Sequence, residues 1–281
     1  MESVICIKAW NRLGMLNKTL TKLSECVNIE KYNIIITIDG PNNSKKIKKF
    51  NDTIGNNNIT KVNKNIQLHY HPTNIGCAGN MRFCFVESFK NYDFMIHLED
   101  DSVPGKDLLL FMEWAYEYTK NKENILAICP FLRKKKYKKL HNKVSLENDL
   151  YEVSAHNMFD PAGGFGISKN QWLQIKKDKG IFGVIGECGN KLRGKKWLNN
   201  LINKGGSITD KGSWAWPFMR YYIENKEVLF PKINRSQNIG DKEGLFNPSA
   251  QWHKNTIHNN SWVGNEFYKD YSLNEKKFFV K

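Results

Sequence analysis

The sequence predicts an α/β protein with a mostly parallel central sheet flanked by helices. Short apolar runs alternate with longer segments in which apolar residues recur at helical spacing. Such alternation is typical of parallel sheets with right-handed crossover connections. At 281 residues the chain is long enough for one large α/β domain or two small ones. Because no low-complexity linker or internal repeat divides it, we expect one continuous domain.

The predicted strands and helices follow one another through the first half of the chain. Runs rich in Val, Ile and Leu predict strands at residues 4–9, 33–38, 66–70, 94–98 and 125–129. Apolar residues three or four apart predict helices at residues 13–23, 77–89 and 106–118. A turn is expected at 39–42, where Asp, Gly, Pro and Asn follow one another. The lysine-rich stretch after this turn is either helical or irregular.

The strand predicted at 94–98 ends in three adjacent carboxylates, Glu99, Asp100 and Asp101. Pro104 and Gly105 then stop the strand, because proline cannot donate to a ladder and Pro-Gly marks a turn. Three adjacent anions repel one another, so a compensating positive charge is expected beside them. Mg²⁺ or Mn²⁺ is the simplest partner, since both favour carboxylate oxygens and keep positions open for water or phosphate. A solvated acidic turn is the structural alternative.

Polar residues also follow the first two predicted strands. In parallel sheets, ligands collect beyond the carboxyl ends of the strands. Arg12 follows the first strand and Asp39 the second, and Arg82 lies in a predicted helix. Asp39 is suited to accept a hydrogen bond from a base N–H, and Arg12 or Arg82 to meet phosphate. The sequence has neither a GxGxxG nor a GxxxxGK[ST] motif, which argues against a Rossmann-type dinucleotide site or a P-loop.

The second half of the chain is less periodic and is rich in Gly, Trp and Asn. Residues 160–167 form a glycine-dense turn that runs into a strand, where the backbone can approach a ligand closely or simply turn tightly. The aromatic segment 213–222 is suited to line a carbohydrate pocket or to fill a core.

Composition limits the compartment and the partners. The net charge is +15, and residues 133–139 form a dense basic block. This block could contact an anionic membrane surface, a phosphorylated acceptor or nucleic acid, or it could be a solvated loop. Six cysteines lie far apart with no CxxC pair, which favours reduced thiols. With no long apolar run and no signal-peptide pattern, we expect a cytoplasmic protein, with peripheral association at the inner face of the membrane as an open alternative.

In their order and approximate spacing, these segments resemble glycosyltransferases of the GT-A fold. More narrowly, they resemble the N-acetylglucosaminyltransferase I family and related bacterial sugar transferases. The matching segments are 9–12, 38–39, the helix holding Asn80 and Arg82, 99–101, 161–166, 213–222 and 230–240. The resemblance implies that residues 1–105 form a nucleotide-binding half and residues 106–281 an acceptor- and sugar-binding half.

The resemblance also implies an activity and a set of site residues. The expected reaction is transfer of a sugar from a UDP-linked donor to a cell-surface glycan or lipid-linked acceptor, with inversion of the anomeric centre. Asp101 would ligate Mn²⁺ or Mg²⁺, which stabilises the charge of the departing nucleoside diphosphate, and His253 is a candidate for a further ligand. The residues expected to contact the nucleotide donor are Arg12, Asp39, Asn80, Arg82, Glu99, Asp100 and Gly164.

One feature departs from the family pattern. Relatives tend to carry an acidic residue in the tryptophan-containing segment, but this chain has no carboxylate between Lys211 and Tyr222. An inverting transferase needs a base that removes the proton of the acceptor hydroxyl. Asp210 is the first candidate for this base, and Glu187 is the second.

Two other functions compete with this prediction. A sugar nucleotidylyltransferase uses a similar sheet and metal, but it needs a glycine-rich loop with a basic signature after the first strand, and residues 10–15 do not supply one. A non-enzymatic, basic nucleic-acid-binding protein would need basic residues interleaved with exposed aromatics on one surface. The carboxylate cluster would repel phosphate unless a metal were bound there, so no specific nucleic-acid partner is expected.

Overall fold

The computed structural model describes residues 2–133, 149–177, 226–240, 250–257 and 278–281. It contains strands that are numbered here in chain order. These are β1 (Ser3–Ala9), β2 (Asn33–Ile38), β3 (Ile66–Tyr70), β4 (Phe94–Glu99), β5 (Ser102–Pro104), β6 (Ile125–Ile128), β7 (Glu152–His156), β8 (Phe165–Ser168), β9 (Glu227–Pro231), β10 (Ser236–Asn238) and β11 (Phe279–Val280). The helices are α1 (Leu13–Leu23), α2 (Ser44–Gly55), α3 (Ile59–Val62), α4 (Gly76–Asn91), α5 (Leu108–Thr119), α6 (Lys169–Lys177) and α7 (Ala250–Thr256).

Most of the described strands form one sheet, in the order β11-β7-β9-β6-β8-β4-β1-β2-β3. The four adjacent strands β4, β1, β2 and β3 are parallel to one another, and β6 is parallel to β9. In contrast, β8 runs antiparallel to both β4 and β6. The predicted α/β class with a mostly parallel sheet is therefore confirmed. The sequence does not show that β8 is antiparallel, because the hydrophobic pattern of a strand indicates which side chains are buried and not the direction of the strand relative to its neighbours.

Residues 102–104 differ from the sequence prediction. They do leave β4, but they form a second, two-stranded sheet in which β5 pairs antiparallel with β10. Pro104 is tolerated because it is the last residue of β5, and the next ladder hydrogen bond is donated by Gly105 N to Arg235 O at 2.8 Å. The turn after the acidic residues is thereby tied to a segment more than 130 residues later.

The core explains why the central strands hold their positions. Every residue of β1 is buried, as expected for a parallel strand covered on both faces. Leu16, Leu20 and Leu23 of α1 are fully buried in the same core. Two basic side chains are also buried in the central strands, Lys8 of β1 and His97 of β4. Among the described residues, no helix combines the length and the apolar character that crossing a bilayer requires.

Candidate functional site

The carboxyl ends of β1, β2 and β4 meet at one edge of the sheet, because these strands are adjacent and parallel. The turns after β1 and β2 contact each other directly. Asp39 N donates to Ala9 O at 2.9 Å, and the indole Nε1 of Trp10 donates to Gly40 O at 3.2 Å. The sequence therefore places its polar strand ends together, at the edge where open α/β sheets bind ligands.

Arg12 binds both aspartates at the end of β4. Its Nη1 donates to Asp101 Oδ2 at 2.7 Å, while Nε and Nη2 donate to the two carboxylate oxygens of Asp100. The backbone of this turn is also fixed, because Thr19 Oγ1 of α1 donates to Asp100 O at 2.8 Å. In the structure the guanidinium of Arg12 bridges two carboxylates of its own chain, and its predicted contact with phosphate stays a prediction.

The second oxygen of Asp101 is bound by the last residue of β10. Asn238 Nδ2 donates to Asp101 Oδ1 at 3.0 Å, and Ile239 N donates to Asp101 O at 2.8 Å. Gly240 packs so closely against this carboxylate that a Cβ there would lie 2.0 Å from Asp101 Oδ2. His253 lies behind Asn238, with its Nε2 2.8 Å from Asn238 Oδ1. Asn238 therefore stands between His253 and Asp101.

Burial makes the paired aspartates difficult to ionise together. Desolvation, and then the charge of Asp101, raise the pKa of Asp100, although Arg12 acts in the opposite direction. Desolvation also raises the pKa of Asp101, again against the effect of Arg12. Two buried carboxylates facing one guanidinium share an excess of negative charge, which uptake of a proton by one of them would relieve.

Glu99 belongs to a different cluster from its two neighbours. Its Oε1 lies 3.0 Å from Lys8 Nζ and 3.4 Å from His97 Nε2, and Lys8 Nζ also lies 2.8 Å from Cys77 Sγ. Burial alone would raise the pKa of Glu99, but the ammonium of Lys8 and the hydrogen bond from His97 outweigh it and lower the pKa to about 2. The three adjacent carboxylates therefore have different partners. Glu99 pairs with Lys8, whereas Asp100 and Asp101 pair with Arg12.

Asp39 and Asn80 both hold the backbone around the site. Asp39 Oδ1 accepts from Gly40 N and Ile75 N, each at 2.8 Å. Asn80 accepts from Thr37 Oγ1 at 2.6 Å, and its Nδ2 lies 3.4 Å from Ala9 O. These contacts join β1, β2 and α4 at the site edge. The predicted nucleotide contacts of Asp39 and Asn80 stay predictions.

Arg82 and Gly164 occupy different surroundings. Arg82 is exposed, two residues along α4 from the buried Asn80, so the two side chains point to different sides of the helix. Gly164 has φ +97°, and a Cβ there would lie 2.6 Å from His97 O. Only glycine therefore fits against β4 at this point. This close approach explains Gly164 structurally and leaves its predicted role in donor binding untested.

Several predicted features lie outside the described residues. These are both candidate bases, Asp210 and Glu187, the aromatic segment 213–222 and all of the basic block except Arg133.

The implied divalent cation does not fit the arrangement that the structure describes. Carboxylate oxygens are suitable ligands for Mg²⁺ or Mn²⁺, but Asp101 Oδ1 is bound by Asn238 and Oδ2 by Arg12. His253 contacts Asn238 rather than sharing an open position with Asp101. Within the described ranges, no three His, Cys, Asp or Glu side chains are grouped as metal ligands would be. The predicted metal ligands Asp101 and His253 are near each other but are not arranged to share an ion.

Sequence reasoning missed Trp10, Asn238 and Gly240 as individual site residues. Trp10 is 37% exposed at the end of β1, an unusual position for so large an apolar side chain. Its place directly after a buried strand was a usable signal. For Asn238 and Gly240 the signal was weaker, because only the pairing of β10 with β5 brings them to Asp101.

No protein-family model and no curated protein matches the chain. The chain is also similar to solved structures, of which three are described here. The mannosyltransferase PcManGT from Pyrobaculum calidifontis in complex with GDP-Man and Mn²⁺ has 8% identity and a TM-score of 0.44 over 63% of this chain and 46% of that chain. TarS 1–349 of S. aureus has 11% identity and a TM-score of 0.41 over 63% of this chain and 49% of that chain. A putative glucose-1-phosphate thymidylyltransferase from Bacillus anthracis has 12% identity and a TM-score of 0.41 over 99% of this chain and 100% of that chain.

The chain spans about half the length of the first two of these structures. Similarities this remote do not distinguish a glycosyltransferase from a nucleotidylyltransferase. The narrower resemblance to the N-acetylglucosaminyltransferase I family stays a prediction from the sequence.

Proposed function

We propose that this chain is a GT-A-type glycosyltransferase that moves a sugar from a nucleotide donor, a UDP-sugar, to a cell-surface glycan or lipid-linked acceptor. The observation that carries the proposal is the direct contact of Arg12 with Asp100 and Asp101 where parallel strands end. These charged residues lie at the edge where open α/β sheets bind ligands, which supports binding of a nucleoside diphosphate there.

We assign Trp10 and Asp39 to binding the nucleobase of the donor. The exposed indole of Trp10 offers a face on which a base can stack. Its hydrogen bond to Gly40 O holds the ring beside the turn that carries Asp39. Because Asp39 Oδ1 already accepts two backbone N–H groups, an N–H group of the nucleobase would donate to Oδ2.

Dependence on Mn²⁺ or Mg²⁺ is part of this proposal, as is inversion of the anomeric centre. For inversion, Asp210 is proposed as the base and Glu187 as its alternative. Replacing Asp210 by Asn should lower turnover without weakening donor binding. Turnover equal to that of the wild type would move the role of the base to Glu187 or elsewhere.

The competing nucleotidylyltransferase function is disfavoured by the start of α1. This helix begins at Leu13, directly after Arg12, which leaves no room for a glycine-rich loop after β1. Peripheral membrane association through the basic block is proposed only as a property to test, by sedimentation with vesicles that contain anionic lipid.

The proposal is tested by screening a panel of nucleotide sugars for slow hydrolysis in the presence of Mn²⁺. Donor hydrolysis needs no knowledge of the acceptor. We expect one UDP-sugar to be hydrolysed, and Asp101→Asn to abolish the reaction. Release of pyrophosphate from a nucleoside triphosphate and a sugar phosphate would instead identify a nucleotidylyltransferase.

A further inference from the structure

Asp100 and Asp101 already hold a cation that belongs to the chain itself. The guanidinium of Arg12 donates to Asp101 Oδ2 at 2.7 Å and to both oxygens of Asp100. It thereby lies between the two carboxylates and occupies oxygens that a divalent ion would need as ligands. An ion such as Mg²⁺ would need to approach the same oxygens to about 2.1 Å. Two cations this close repel strongly in a partly buried site, so only one of them can be held there.

The segment 238–240 closes over the same carboxylate. Asn238 occupies Asp101 Oδ1, and Gly240 packs against Oδ2 without room for a Cβ. Asn238 is itself held, because its Oδ1 accepts from Gly240 N at 3.1 Å and lies 2.8 Å from His253 Nε2. An ion that reaches Asp101 must therefore displace Arg12 and shift this segment.

We infer that Arg12 is a built-in competitor of the divalent cation, and that segment 238–240 stabilises the resulting closed state. The inference rests on the proposed function, because a nucleoside diphosphate provides the anion to which the displaced guanidinium can turn. Metal and nucleotide should then bind with positive coupling, each increasing the affinity for the other by the same factor.

The test is a titration with Mn²⁺ alone, in which free Mn²⁺ is measured by electron paramagnetic resonance. The variants are Arg12→Met and the matched control Arg133→Met, whose arginine is nearly as exposed and also pairs with an aspartate. Without nucleotide, Arg12→Met should bind Mn²⁺ at least about tenfold more tightly than the wild type, because a like charge has been removed from the site. Arg133→Met should match the wild type, and Asp101→Asn should lose binding.

A second variant guards against a folding defect in Arg12→Met. Arg12→Lys keeps a positive charge but cannot bridge both carboxylates, so its affinity for Mn²⁺ should lie between those of the wild type and Arg12→Met. Wild-type affinity in both folded Arg12 variants would overturn the inference, as would Mn²⁺ binding that survives Asp101→Asn.

Adding UDP separates the inference from the proposed function. UDP should raise the Mn²⁺ affinity of the wild type and have a smaller effect on Arg12→Met. No effect of UDP on any variant would contradict the proposed function, whereas the Mn²⁺ affinities measured without UDP decide the inference.

Discussion

Two arginine–aspartate clusters in this protein look alike and differ in charge balance. Arg133 binds Asp160 through Nε and Nη2, and the Arg133 side chain is 20% exposed. The Arg12 side chain is 22% exposed, but it binds two buried carboxylates, Asp100 and Asp101. The Arg133 pair brings one guanidinium to one carboxylate and joins two loops. In the Arg12 cluster one carboxylate is in excess, and that excess is what makes the strand ends a candidate binding site.

The largest expected effect comes from the carboxylate in the unbalanced cluster. Asp101→Asn should lower donor hydrolysis by about 100-fold or more, because electrostatic stabilisation of the departing diphosphate depends on this site. The fold should remain intact, as checked by circular dichroism. The matched variant Asp160→Asn should lose stability and keep its activity per folded molecule. Equal losses of activity in the two variants would remove the distinction between the clusters.

Replacing the arginines should affect stability more in the Arg133 pair than in the Arg12 cluster. Arg133→Met leaves Asp160 fully buried without its guanidinium, which should lower the free energy of unfolding by about 3 kcal/mol. Arg12→Met should lower it less, because the aspartates that remain have raised pKa values and can take up a proton. Urea denaturation of both variants measures the difference. A larger loss in Arg12→Met would show that the Arg12 cluster is mainly structural.

Glu99 provides a third ionic cluster at the same strand end, one in which charge is balanced by Lys8. Because ion pairing lowers the pKa of Glu99 from 4.5 to about 2, its stabilising effect is complete above pH 4.5 and is lost as the pH falls towards 2. Glu99→Gln should therefore lower the free energy of unfolding by about 2 kcal/mol at pH 7. The difference from the wild type should shrink as the pH falls from 4.5. A difference independent of pH would indicate a packing effect and not an ion pair.

The last comparison concerns two glycines, one of which packs against β4. Gly164→Ala places a Cβ 2.6 Å from His97 O at φ +97°, and should cost about 2 kcal/mol of stability. The matched variant Gly14→Ala lies in α1, with nothing within 4 Å of the added Cβ. It should be neutral or stabilise the protein by up to about 1 kcal/mol. Thermal unfolding compares the two, and an equal effect would contradict the role assigned to Gly164.

The helices and strands of the first half were predictable because the spacing of apolar residues along the chain distinguishes helices from strands. Strands β2 and β3 begin and end where the sequence predicts them. The convergence of Arg12, Asp39 and the aspartates was also predictable, since parallel strands end at one edge. The partners of the carboxylates were not. Which of the acidic residues meets Arg12 and which meets Lys8 depends on the face to which each points, and composition does not contain that information.

The contacts made by the second half were less predictable for a physical reason. Asn238 and Gly240 reach Asp101 only through the pairing of β10 with β5, which is a contact between distant segments. Both strands are only three residues long, too short for an alternating pattern to identify them. The turn at Gly164 was recognised from its glycines, but its close approach to β4 required the fold.

The most direct test of the account is the thermal stability of the wild type with Mn²⁺ and UDP together. A ligand that binds only the folded state raises the unfolding temperature, and the rise grows with its concentration. We expect such a rise for the wild type and for Arg133→Met, and none for Asp101→Asn. No rise at saturating Mn²⁺ and UDP, or an equal rise in Asp101→Asn, would contradict a nucleotide site at the end of β4.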